Sequence, residues 1–104
     1  MSLRTAITAV FQRFRQNARP ALDGLDDQLA TYLDHRNGFF IEAGANDGRR
    51  QSNSYFLEKK RGWRGLLVEG IPDLHRQCVK NRPASKVVNR ALAANDYAGE
   101  SVIM

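Results

Sequence analysis

The run Phe39-Phe40-Ile41-Glu42-Ala43 constrains this chain more than any other feature, because it passes directly into the turn Gly44-Ala45-Asn46-Asp47-Gly48. A continuous apolar run ending in an acid fits a strand buried on both faces, as in a parallel sheet. Gly44 and Gly48 let the backbone turn tightly and come close to a ligand where a Cβ would obstruct. In an open parallel sheet, ligands bind beyond the carboxyl ends of the strands, which is where this turn falls.

Further elements follow at matching intervals. A helix is predicted from about Ser52 to Arg61, with Ser52 or Asn53 as cap and Gly62 as stop. Leu66-Leu67-Val68-Glu69 is the second strand. Pro72 suits the first turn of a helix running to about Asn81, before Pro83, and Lys86-Val87-Val88-Asn89 is the third strand. This alternation implies right-handed crossovers and a parallel sheet, hence an α/β class. Asp96-Tyr97-Ala98-Gly99 reads as a turn, and Ser101-Val102-Ile103-Met104 as the start of another strand.

Upstream, Leu3, Ile7, Val10, Phe11 and Phe14 form an amphipathic helical stripe. The segment has no acid before Asp23 and carries Arg4, Arg13, Arg15 and Arg19, a pattern shared with transit peptides and membrane-surface helices. Its continuous apolar face favours a docked helix, which Pro20 interrupts. A second helix is predicted from Asp23 as N-cap, with Asp26 and Asp27 near its positive end. Leu22, Leu25, Leu29 and Leu33 line one side, and Asn37-Gly38 should stop it. A helical segment, 1–37, thus precedes an α/β unit, 38–104.

Composition narrows the classes. With 104 residues the chain amounts to one small domain or part of a larger one. Nothing approaches the roughly 20 apolar residues of a membrane-spanning helix, and no secretory leader is evident, so a cytoplasmic location is expected. Cys78 is the single cysteine, four residues after Leu74, and reads as a small apolar group on a helix face. His35 and His75 stand alone, without zinc-site spacing, so no metal is expected. The net charge of +5 admits nucleic acid or anionic lipid, but no aromatic-basic alternation or helix-turn-helix spacing supports a nucleic-acid partner.

The loop discriminates between ligands. An acid at the tip of the second strand, Glu69, suits the two hydroxyls of a ribose, since a carboxylate accepts both hydrogen bonds. NAD and S-adenosylmethionine share that need. A dinucleotide site uses G-x-G-x-x-G to approach a pyrophosphate. Here Asn46 stands where the second glycine would be and Arg49 where the third would be. Asn46 and Asp47 would repel a pyrophosphate and suit a ligand bearing an ammonium or sulfonium.

Gly38 through Gly48, then Ser52-Asn53-Ser54, Leu57-Glu58-Lys59, Gly62-Trp63-Arg64-Gly65 and Val68-Glu69, closely resemble the FkbM family of methyltransferases. Asn81-Arg82-Pro83 and Asn89-Arg90-Ala91-Leu92 continue the match, which spans about half of the chain. The resemblance implies a Rossmann-like class I methyltransferase fold and S-adenosyl-L-methionine as cofactor. It further implies methyl transfer to a hydroxyl oxygen of a small molecule or glycan. On it, Glu42, Gly44, Asn46, Asp47 and Gly48 would hold the methionine portion, and Asn53 would shape that pocket. Glu69 would hold the ribose, and Asn89 to Leu92, including Ala91, would border the adenine. Gly70 departs from the proline often found after this acid.

Plainer readings stand beside these. Asn46 and Asp47 also suit a polar turn, and Ser52 and Asn53 a helix cap. Trp63 reads as a packing residue at a helix-to-strand corner, and Glu58-Lys59-Lys60 as a solvated face. Glu69 is the hardest to dismiss, because an acid ending an apolar strand needs a polar partner. The chain is expected to stop before the fourth strand, where proteins resembling it carry further acids and much of the acceptor pocket. No catalytic base is therefore named. Phe39–Ala43 would then present an unpaired apolar edge, predicting a homodimer, an aggregation-prone chain or a missing C-terminal half. A non-catalytic remnant that needs a partner is the alternative reading.

Overall fold

The computed structural model describes residues 2–7, 18–97 and 99. Three strands, β1 (Phe39–Ala43), β2 (Arg64–Val68) and β3 (Lys86–Val88), form a parallel sheet in the order β1-β2-β3. Among the described residues, helices α1 (Leu25–Tyr32), α2 (Tyr55–Arg61) and α3 (Pro72–Asn81) accompany them. The sequence of elements from β1 to β3 is the predicted one, with β2 beginning and ending earlier so that Glu69 lies just beyond its tip.

Strand order in space follows strand order in sequence, and this decides the layering. Two successive right-handed crossovers in the same direction place both connecting helices on one side of the sheet. Phe40, Leu67 and Val87 point to that side. Phe40 packs against Phe56 and Leu57 of α2, while Leu67 and Val87 pack against Cys78 of α3. Gly65 is required here because the Phe40 ring lies directly across it, where a Cβ would clash.

The opposite side departs from expectation. Phe39 is 67% and Ile41 69% exposed, so β1 is covered on one face and not on both. In register with them run Leu66, Val68 and Val88, which are half-buried. The apolar run was read correctly as a strand, but its cover lies on only one side among the described residues. Among the described residues β1 also occupies the sheet edge.

The N-terminal helices also require correction. Asp23 is not a cap: it sits at φ 54° within a short 3-10 turn, Leu22–Gly24, and Gly24 precedes α1. The polar anchor is Asp26, fully buried, which accepts hydrogen bonds from the Ala21 and Asp27 backbone N–H groups at 3.0 Å each. Helix α1 ends at Tyr32 and not at Asn37-Gly38, because Leu33 leaves helical geometry. The Arg61 guanidinium donates to the carbonyls of Ala30 and Leu33 and closes that end. Residues 3–7 are helical, but Leu3 and Ile7 are exposed. Val10, Phe11 and Phe14, like the strand predicted at 101–104, lie outside the described residues.

Helix α2 begins at Tyr55, later than predicted, and stops at Gly62, whose φ of 66° is the expected left-handed terminator. Trp63 then turns the chain into β2. Its ring is buried against Gly38 and His35, and its Nε1–H donates to the His35 carbonyl at 2.8 Å. This is the packing role predicted for it. Helix α3 matches its predicted span, with Pro72 in its first turn.

Candidate functional site

The carboxyl ends of β1, β2 and β3 bring together most of the residues singled out from the sequence. The β1 turn is fastened to β2 by two backbone bonds, with the N–H groups of Gly44 and Ala45 both donating to the Val68 carbonyl. Glu69 completes the link. Its Oε1 accepts from the Asn46 N–H at 2.7 Å and its Oε2 from the Ile71 N–H at 2.8 Å. The buried acid predicted to need a polar partner thus has two, and they orient it between the first and second loops. Asn89, just past β3, donates through Nδ2 to the carbonyls of Glu69 and Gly70 at 2.9 and 3.1 Å. Ala91 follows two residues later, half-buried.

The turn itself is built from left-handed residues: φ is 72° at Gly44, 58° at Asn46 and 85° at Gly48. The two glycines serve different ends. A Cβ on Gly44 would meet nothing within 4 Å, so open space lies over the loop at that point. A Cβ on Gly48 would strike Arg82 Cγ at 2.8 Å and Cys78 Sγ at 2.9 Å. The crowding on the Cβ side of Gly48 is therefore with helix α3 and Arg82, within the protein. Asp47 forms a polar turn, its Oδ1 accepting from the N–H groups of Arg49 and Arg50 at 2.9 and 2.7 Å. Asn81 secures the same residue by donating to the Asp47 carbonyl at 2.8 Å.

Glu42 points to the helix-covered side of β1 and meets the Ser-Asn-Ser turn. Its Oε1 accepts from the Asn53 N–H at 3.1 Å; its Oε2 accepts from Ser54 Oγ at 2.6 Å and Ser52 Oγ at 3.4 Å. Asn53 thus lies beside Glu42, joined through its backbone. Ser52 Oγ also accepts from the N–H groups of Ser54 and Tyr55 at the start of α2, at 3.3 and 3.1 Å. The N-cap position itself is Ser54, and neither Ser52 nor Asn53 occupies it as predicted; Ser52 braces the turn that leads into α2.

Two groups at the centre of this network escaped sequence reasoning. Arg82 is fully buried and reaches Glu58, Gly48, Ser52 and Ser54. Glu58, read as part of a solvated face, has a side chain only 1% exposed and pairs with Arg82 at 3.0 Å. Burial is tolerable because each charge meets its opposite and its hydrogen-bonding capacity is filled. The legible hint was Glu42 itself: an acid inside an apolar run needs donors, and Ser52 and Ser54 flank the following turn.

Burial raises the Cys78 thiol from 9.0 to about 11, with the Arg82 charge opposing the rise. At neutral pH it is a protonated, unreactive group, in keeping with an apolar role. Among the described residues, no cluster of three His, Cys, Asp or Glu side chains is placed to hold a metal ion. No helix among them is long and apolar enough to cross a membrane.

A parallel sheet with helical crossovers, a left-handed glycine turn after its first strand and an acid beyond its second define an α/β, Rossmann-like fold, carried here through three strands. The chain is similar to a solved TehB-like SAM-dependent methyltransferase from Corynebacterium glutamicum, with a TM-score of 0.51 and 21% sequence identity. That similarity covers 82% of this chain and 44% of the other, so the matched part spans less than half the length of that structure. No family model matches the sequence, and neither does any curated protein.

Proposed function

We propose that this chain is the cofactor-binding part of an S-adenosylmethionine-dependent methyltransferase of FkbM type, acting on a hydroxyl oxygen of a small molecule or glycan in the cytoplasm. The observation that carries this reading is the joining of Glu69 to the Asn46 backbone beside the open space over Gly44. A carboxylate held by two backbone N–H groups retains lone pairs on both oxygens, enough to accept from two vicinal hydroxyls. That remaining capacity supports the cofactor reading.

In this reading Glu69 would hold the ribose, and Asn89 and Ala91 would border the adenine. Gly44, Asn46 and Asp47 would line the methionine end. The bound cofactor supplies a methyl group on a positively charged sulfur, an electrophile. Glu42, Asp47 and Glu69 lie around the loop and favour positive charge there. Gly48 and Asn53 act from behind, the first by allowing helix α3 to approach the loop, the second by donating to Glu42. The acceptor's base is not assigned to any described residue.

Calorimetric titration with S-adenosylhomocysteine tests the proposal. Glu69→Ala should weaken binding by about tenfold or more, the loss of charge-assisted hydrogen bonds worth roughly 1.5–3 kcal/mol. Heat-silent titration of folded protein, or unchanged affinity in Glu69→Ala, would remove the cofactor assignment. A second reading, a non-catalytic unit that needs a partner, is favoured by the exposed Phe39 and Ile41 face. Methyl transfer from labelled donor by this chain alone would reject it.

A further inference from the structure

We infer that Arg82 is a positioning residue for the cofactor loop, acting through Ser52 and Ser54 to orient Glu42. The inference rests on the methyl-donor reading for its functional consequence and on the geometry for the rest. A guanidinium has five N–H groups in a fixed planar fork. Arg82 Nε donates to Glu58 Oε1 at 3.0 Å. Nη1 donates to the Gly48 carbonyl at 3.0 Å and to Ser52 Oγ at 3.2 Å. Nη2 donates to the Ser54 carbonyl at 3.3 Å and to Ser54 Oγ at 2.9 Å. Every donor has an acceptor, and four of the five acceptors belong to the segment between β1 and α2.

The direction of these bonds has a consequence. Arg82 can only donate, so the Ser52 and Ser54 hydroxyls accept from it and must turn their own protons elsewhere. Both are aimed at Glu42 Oε2, which sits 3.9 Å from Arg82 Nη1. Arg82 thereby fixes two hydroxyl rotors and, through them, the carboxylate at the tip of β1. It also pins the carbonyl of Gly48, the last residue of the loop whose Asn46 N–H meets Glu69. The Phe40 and Tyr55 rings lie 5.2 and 5.9 Å from its charged carbon and exclude water. A lysine offers a point charge without the fork and cannot reproduce the set.

The test combines amide hydrogen exchange with S-adenosylhomocysteine titration at a temperature where each variant is folded. Arg82→Met and Arg82→Lys should both speed exchange across residues 44–54 while β2 stays protected. Affinity should fall by about tenfold, the scale of one lost charge-assisted network. Ser54→Ala should weaken binding by about threefold alone and add little in the Arg82→Met background, as coupled residues do. Should Arg82→Met fail to fold, the double variant Ser52→Ala/Ser54→Ala keeps the Glu58 pair intact and must show the same local exchange and affinity loss. Unchanged exchange at 44–54, or exchange rising equally in β2, would overturn the inference. So would wild-type affinity in the Arg82 variants, or additive effects in the Ser54 cycle. If the unaltered chain binds no S-adenosylhomocysteine, the cofactor reading falls, and the exchange results alone judge Arg82.

Discussion

Replacing Glu58 by methionine removes one half of a buried ion pair and leaves the other in place. Glu58 Oε1 accepts from Arg82 Nε at 3.0 Å and from Ser85 Oγ, and its Oε2 accepts from the Ala84 N–H at 3.4 Å. Ala84 is exposed and Ser85 half-buried, so water can replace what they lose. Arg82 is 0% exposed and has no such recourse. Removing one partner of a buried pair costs about 3–5 kcal/mol. A domain of this size has a total stability of about 5–15 kcal/mol, so the loss is at least about a fifth of it and can be most of it. At about 4–8 °C per kcal/mol, the midpoint should fall by at least about 12 °C. Glu58→Gln keeps an acceptor for Arg82 Nε and should cost about 1–3 kcal/mol. The double variant Glu58→Met/Arg82→Met should cost less than the sum of its singles, because neither charge is then left alone. Urea unfolding followed by circular dichroism reads the wild type and the four variants, Arg82→Met included. A Glu58→Met variant within about 1 kcal/mol of wild type would place the carboxylate in the class of solvated surface pairs and refute the reasoning.

Three other perturbations have defined outcomes. The Cys78 thiol is raised from 9.0 to about 11 in the fold, so between those values the unfolded chain loses a proton that the folded chain keeps. Stability should be unaffected by this group below pH 9 and fall by about 2 kcal/mol by pH 11, a slope that Cys78→Ala abolishes in pH-dependent urea midpoints. Gly44→Ala meets only backbone strain of about 1–2 kcal/mol, while Gly48→Ala adds a clash with Cys78 and Arg82 and should lose clearly more in thermal unfolding. Equal losses would contradict the difference in their surroundings. Phe39→Lys/Ile41→Lys should reduce self-association in light scattering by charging the uncovered face of β1; a wild-type chain that remains monomeric at high concentration would contradict that.

Local chemistry made the elements from β1 to β3 readable. Gly62, Pro72 and the alternation of apolar runs with helical spacing mark boundaries through backbone geometry, which the sequence carries residue by residue. The tip acids were readable for a related reason: Glu69 ends an apolar strand, and such a group must find donors wherever the chain goes. What escaped was set by long-range placement. Glu58 lies beside two lysines and looks solvated until α3 delivers Arg82 against it, twenty-four residues later in sequence. Gly48 reads as a ligand-facing glycine from its place in the turn after a strand, and the crowding on its Cβ side, from Cys78 and Arg82, is visible only in the fold. Asp23 is the plausible cap in one dimension; only the approach of Ala21 makes Asp26, inside the first turn of α1, the polar anchor. The face left open on β1 follows from the order of strands in space, which periodicity does not encode.

Trp63 carries one last consequence. It is the only tryptophan in the chain, and its buried indole is fixed by a hydrogen bond to the His35 carbonyl at 2.8 Å. The same ring packs in the cluster that joins α1 to α2. Its emission is therefore a native optical gauge of whether the segment leading into β1 is seated, separable from the three tyrosines by excitation wavelength. Loosening of that seat would redden the emission before the sheet comes apart, so one cuvette can distinguish undocking of the helical entry from loss of the parallel strands.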